Sequence, residues 1–210
     1  MGVSIHYCGR VAEIQNIKAI CDELAAIADR MNWHFIRLDE DWSQAADATI
    51  EVTGQDSQIT GHLPLKGIVL TLNPQCEGLP FFFDSNGRLR DPISRVNISE
   101  GALKPEDSWI SVKTQYAGPE IHIWIIGLLK HLKKLYLPNL EVQDEGEYWE
   151  TGNFEILKEK MDLVGEKIAA VSAELIRVTK GHIEGFSADE LASMIEALLR
   201  NRFDHEDSAN

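Results

Sequence analysis

Apolar residues recur at steps of three and four from Ile14 through Ile17, Cys21, Leu24 and Ala28 to Met31. That period puts them on one stripe and predicts an amphipathic helix over residues 12–31. Short apolar runs at residues 3–7 and 33–38 flank it and read as strands. The rhythm then shortens. Residues 49–53 and 58–62 read as a hairpin around Gly54-Gln55-Asp56, and residues 67–72 and 79–83 as two further strands. Asn86-Gly87 follows, a hairpin signal because both residues accept positive φ. From Pro92 to Ser108 the pattern is weak and predicts a long surface connection.

Residues 109–116 return to strand. Gly118 turns the chain, and Pro119 suits the first position of a helix because its missing N–H is not needed there. That helix, to about Tyr136, is apolar on most sides (Ile121, Ile123, Trp124, Ile125, Leu128, Leu132) and is expected to be buried on more than one face. Pro138 stops it before a strand at 140–143. Leu157, Met161, Val164, Ile168, Val171, Leu175 and Val178 then alternate steps of four and three, the spacing of a seam for another helix. Ser187 and Glu190 fit a capping box ahead of Leu191, Met194, Ile195 and Leu198, so a helical hairpin is expected.

The fold class predicted is α/β, in the sense of an α+β mixed sheet. Two β-α-β units flank an antiparallel meander, and a helical hairpin closes the chain. Residues 1–150 are expected to form the sheet domain. Residues 151–204 form the hairpin, packed on that domain or at a dimer interface. The two units resemble each other: Tyr7-Cys8-Gly9 leads through a helix and a strand to Asp39-Glu40, and Tyr116-Ala117-Gly118 leads likewise to Asp144-Glu145. Open α/β sheets bind ligands at the C-terminal ends of their strands. If the units shared one sheet, their strand ends would face a common cleft.

Composition narrows the functional classes. The formal net charge is −14, and residues 139–174 hold ten acids against three lysines, which is half of it. Such a chain repels phosphate backbones, so no nucleic-acid partner is expected. The nearest basic patch is Lys130, His131, Lys133 and Lys134, at the end of a helix where cations favour the dipole. Cys8, Cys21 and Cys76 suggest neither a disulfide framework nor a zinc knuckle. Residues 1–10 lack the pattern of a signal peptide, and the apolar run 121–132 is too short and too polar to span a bilayer. A cytoplasmic location without a membrane partner is the expectation.

Candidate chemistry is thin. His122 sits near the start of a mostly apolar helical stripe, either as a hydrogen-bonded boundary residue or as a ligand or general base. With it, Glu145 and Tyr116 are the catalytic candidates. Asp39, Glu40 and Asp144 are the metal candidates, since paired carboxylates hold divalent cations, although acid clusters at strand ends are also ordinary solvated turns. Cys8, before a helix, is a nucleophile candidate with His6 or His122 as base. No P-loop, G-x-S-x-G elbow or G-x-G-x-x-G is present, no cofactor is indicated, and no cofactor-binding residue is proposed. Segments 113–120 and 144–149 have the look of a motif pair. The leading expectation is a non-catalytic binding or assembly module, with a homodimer through the heptad helix Leu157 to Val178. The alternative is a small metal-dependent hydrolase or ligand-binding enzyme with its site at the strand ends. An enzyme calls for His122 beside a carboxylate in an open pocket, whereas a binding module is free to bury it.

Overall fold

The computed structural model describes residues 2–53 and 56–179. The strands are β1 (Ser4–Cys8), β2 (His34–Asp39), β3 (Thr49–Thr53), β4 (Asp56–Thr60), β5 (Lys66–Thr71), β6 (Leu79–Phe83), β7 (Leu89–Arg90), β8 (Ile110–Lys113) and β9 (Glu141–Asp144). The helices are α1 (Asn16–Met31), α2 (Pro92–Ser99), α3 (Pro119–Leu135), α4 (Tyr148–Thr151) and α5 (Phe154–Val178). These make an α+β architecture with three sheets, ordered β8-β1-β9, β2-β5-β6-β7 and β3-β4. The chain divides into two compact units, Met1–Met161 and Asp162–Asn210, and α5 runs from the first into the second.

Among the described residues all strand pairings are antiparallel. The second β-α-β unit closes within one sheet: β8 and β9 both run opposite to β1, which lies between them, and α3 crosses over it. The first unit does not close in this way. β1 belongs to the three-stranded sheet and β2 to the four-stranded one, so α1 bridges two sheets. The strand ends of the two units therefore do not lie along one sheet edge.

Alternation explains how β1 sits: Ile5 and Tyr7 are fully enclosed while His6 and Cys8 are partly exposed. α1 buries the middle of the predicted stripe, with Ile17, Cys21, Leu24 and Ala28 inside, while Ile14 and Met31 at its ends are exposed; it ends on Asn32 in the left-handed region at φ 55°. α3 buries Ile125, Ile126, Leu128, Leu129 and Leu132. These helices meet Ile68, Leu70, Phe81 and Phe83 of the four-stranded sheet in one core, where each enclosed large side chain contributes about 1.5–3 kcal/mol. Tyr7 satisfies its buried hydroxyl by donating to the Pro80 carbonyl at 2.5 Å. Burial, helped by Asp91, pushes that phenol well above its usual range. A smaller core of Ala48, Leu63, Leu65, Phe82 and Val96 lies elsewhere in this unit.

Three local departures from the sequence reading have simple causes. α2 occupies part of the stretch read as a surface connection. Its start is written in Asp91, whose carboxylate accepts from the backbone of Ile93 and Ser94, and in Pro92 behind it. Only Val96 of that helix is buried, which left no apolar period to detect. α1 begins at Asn16 rather than residue 12, after a turn in which Asn16 N–H donates to Glu13. β4 begins at Asp56, two residues early, and Thr53 pairs with it. In the heptad seam Leu157 and Met161 are buried and Val164 is half-buried. The expected second helix of the hairpin lies outside the described residues. Among the described residues no helix is long and apolar enough to cross a membrane.

Gly67 marks the tightest strand contact. It adopts φ +154°, and a Cβ there would stand 2.0 Å from the Phe81 carbonyl oxygen. Gly67→Ala is expected to cost about 3 kcal/mol of stability, read from the urea midpoint. Gly127, exposed in α3 with nothing within 4 Å of an added Cβ, gives the control: Gly127→Ala is expected to add about 0.5–1 kcal/mol.

Candidate functional site

The segments 113–120 and 144–149 meet around His122. At the end of β8 the Val3 carbonyl accepts from the backbone N–H groups of Thr114 and Gln115, at 3.0 and 3.1 Å, and from the Thr114 hydroxyl at 3.2 Å. Gln115 answers in the other direction. Its Oε1 accepts from Val3 N–H at 2.9 Å, and its Nε2 donates to the Met161 carbonyl at 2.9 Å, tying in the first part of α5. Gly118 and Pro119 then start α3, which delivers His122 one turn later into full enclosure.

His122 Nδ1 lies 2.8 Å from the Thr114 hydroxyl and Nε2 lies 3.0 Å from Asp144 Oδ1. Asp144 ends β9 with a side chain that is 0% exposed, as is that of His122. Oδ1 accepts from Gly146 N–H at 2.7 Å and Oδ2 from Trp149 N–H at 2.9 Å, so one carboxylate folds the chain into α4. The Nε2 group finds no acceptor in hydrogen-bonding alignment although Asp144 is close. The pair is therefore an electrostatic contact rather than a linear hydrogen bond. Burial raises the Asp144 carboxyl, but the His122 ring and the backbone N–H groups of Trp149 and Gly146 together outweigh it and hold it below the usual carboxylate range.

Chemically this is a latch. A general base must come within hydrogen-bond reach of the proton it takes, and an enclosed imidazole offers no such approach. The other candidates lie apart in character. Tyr116 is 55% exposed, with Lys113 Nζ 5.4 Å from its ring centre. Glu145 accepts from Ser4 N–H at 2.7 Å, with His6 Nε2 3.7 Å away, and its side chain is about half exposed. Asp39 pairs with Lys66 at 2.6 Å. Glu40 faces His62 Nδ1 at 3.0 Å, while His62 Nε2 meets the Asp41 carbonyl at 2.9 Å. Asp41 caps the turn at Ser43. Among the described residues no three His, Cys, Asp or Glu side chains are grouped to hold a metal ion.

The thiols are not activated. Burial raises all three, Cys21 and Cys76 to about 11. Three residues of the basic patch at the end of α3 are engaged within the fold, while Lys134 is exposed. His131 pairs with Glu23 at 2.6 Å, Lys133 donates to the Leu140 carbonyl at 2.6 Å, and Lys130 and Lys133 both stand over the Trp149 ring.

Sequence reasoning missed one feature. Lys18, Arg37, Lys66 and Trp42, from α1, β2, β5 and the loop after β2, line a cleft of about 400 Å³. No local spacing announces it, because the residues come from separate elements. It also missed Thr114 and Gln115 as individuals, although the segment holding them stood out.

The fold and site define an α+β protein with a sealed polar latch. Comparison with known proteins finds no matching family model and no significant match among curated proteins or solved structures.

The latch makes a pH prediction. A carboxyl whose folded pKa lies below the unfolded value of about 3.9 supports the fold above that pH, and the support is lost as pH falls through the folded value. Asp144→Asn is expected to cost about 3 kcal/mol at neutral pH. It should also flatten the loss of stability below about pH 4, so that mutant and parent converge in acid. Urea unfolding between neutral pH and acid checks both.

Proposed function

We propose that this chain is a non-catalytic, cytoplasmic binding or assembly module, and that its assembly is a homodimer through the heptad seam Leu157 to Val178. What supports the first part is the enclosure of His122 and Asp144, whose side chains are both 0% exposed. That pairing joins strands and helices rather than facing an open pocket. What supports the second part is the sequence spacing of α5 beyond Met161, since Leu157 and Met161 are already covered within one chain. The concentration of acids at 139–174 favours a protein or small-molecule partner over nucleic acid.

A second reading, a metal-dependent hydrolase, keeps only Asp39 and Glu40 as metal ligands, since Asp144 is enclosed at the end of a strand in another sheet. A ligand that binds only the folded state raises its unfolding temperature. Zinc, manganese or magnesium should leave that temperature unchanged. A metal-dependent rise abolished by Asp39→Asn or Glu40→Gln would favour the hydrolase instead.

The dimer is tested by light scattering. The parent should run at twice the 23.6 kDa of one chain, and Ile168→Glu, at mid-seam, should run as a folded monomer because a charge there is costly to bury. A monomeric parent, or a folded variant that stays dimeric, would overturn the assembly reading.

A further inference from the structure

We propose that the open edge of β2 pairs with β2 of a second copy of this chain, antiparallel and centred on Ile36. This contact goes beyond the seam dimer and does not rest on it.

The other sheet edges are interrupted. An edge strand exposes a row of N–H and C=O groups, and folded proteins cover or blunt such rows. On β8 the Lys113 N–H donates to Glu77 Oε2 at 2.8 Å, and the Lys113 carbonyl accepts from the Cys76 thiol at 3.5 Å. At β9 the Leu140 carbonyl accepts from Lys133 Nζ, and the Asp144 carbonyl from Glu147 N–H. The chain leaving β1 closes β7: Gly9 accepts from Leu89 N–H, and Arg10 lies opposite Arg88. β2 differs. One side pairs with β5 from His34 to Asp39, and Glu40 N–H donates to the Leu65 carbonyl in the same register. Bonding in an antiparallel pair alternates. The backbone groups of His34, Ile36 and Leu38 therefore face β5, and those of Phe35, Arg37 and Asp39 face outward. Among the described residues no partner meets that outward row. The strand carries no proline, no lysine and no bulge to blunt it.

Symmetry selects the occupant. Two copies paired antiparallel about a twofold axis present the same sheet face, so even residues stand opposite even and odd opposite odd. Two registers keep most of the strand paired. Centring on Arg37 sets that guanidinium against its own copy, which is destabilising. Centring on Ile36 sets Ile36 against Ile36, Phe35 against Arg37 and His34 against Leu38, with no like charges opposed. Ile36 is 59% exposed, the most of any large apolar side chain among the described residues, and this pairing covers it. Phe35 and Arg37 then fall on bonded positions and exchange N–H···O bonds across the contact. The charges of the strand are matched within their own chain, Arg37 by Asp22 and Asp39 by Lys66. Repulsion between two chains of formal charge −14 is screened beyond about 8 Å at physiological salt. So short a strand pair lies below the area of a stable interface, and it forms at millimolar rather than micromolar concentration. Two self-complementary contacts on one chain, seam and strand, carry assembly past a dimer.

The test uses the full chain with Ile36→Cys, combined with Cys8→Ser to remove the partly exposed native thiol. Opposed residues at a non-bonded antiparallel position have Cα atoms about 4.5 Å apart, within the range of a disulfide. Under mild oxidation at millimolar concentration, a covalent dimer should form about tenfold faster from Ile36→Cys than from His34→Cys, which stands opposite Leu38 instead. Adding Arg37→Pro keeps the β5 ladder and removes an outward N–H. With the fold intact by circular dichroism, it should abolish that advantage. In the parent chain, hydrogen exchange at the Phe35 and Arg37 amides should slow as concentration rises from micromolar to millimolar, and at Ser111 on β8 it should not. Equal crosslinking rates, an advantage that survives Arg37→Pro, or exchange indifferent to concentration would overturn the proposal and leave the edge to a strand of a different protein. None of these results alters the light-scattering mass at micromolar concentration, so failure here is distinct from failure of the seam.

Discussion

The buried carboxylate of Asp144 is the constraint around which the first unit is organised. An ionised group out of water is tolerated only when its oxygens are matched. Here they are matched by two backbone N–H groups and by the His122 ring. That requirement couples the end of β9, the start of α4 and the first turn of α3. Through Thr114 it also reaches β8, and through Val3 the chain entering β1. Close approach sets a further condition. A Cβ on Gly146 would stand 3.1 Å from both Asp144 Oδ1 and His122 Cε1, and 2.5 Å from a Leu157 methyl.

Around this polar centre the apolar architecture is conventional. α1 and α3 cover the sheets with the stripes their periodicity requires, and one core joins residues from β1, β5, β6 and both helices. The acids that dominate the composition stay outside it, on exposed pairs with Lys18, Arg37 and Lys66 or in caps such as Asp91. Asp84 is an exception of the same kind as Asp144. It accepts from the backbone of Asn86 and Arg88 and pairs with nearly buried Arg90 at 3.0 Å, which fixes the hairpin that Asn86-Gly87 announced.

Structural use of the histidine bears on function. A residue enclosed between strands and helices is closed to a substrate, as the 0% exposed side chain of His122 is.

Much of the local structure was legible from period and punctuation. The middle of the stripe from Ile14 to Met31, the broad apolar face of α3 behind Pro119 and the Asn86-Gly87 hairpin all follow from short-range geometry, which residue spacing encodes directly. The helix at Pro92 was legible too, in Asp91-Pro92, but its shallow burial hid it from a search for periodicity. What only the tertiary structure decided was partnership. Whether β1 and β2 share a sheet depends on competition among strands distant in sequence, and β1 pairs instead with β8 and β9. Whether His122 is a base or a tie depends on enclosure by elements that its own helix does not specify. The cleft likewise arises because Lys18, Arg37 and Lys66, separated along the chain, are brought together by burial of the apolar faces beneath them. Spacing along a chain carries the local period, while long-range contacts are selected by the free energy of the whole core.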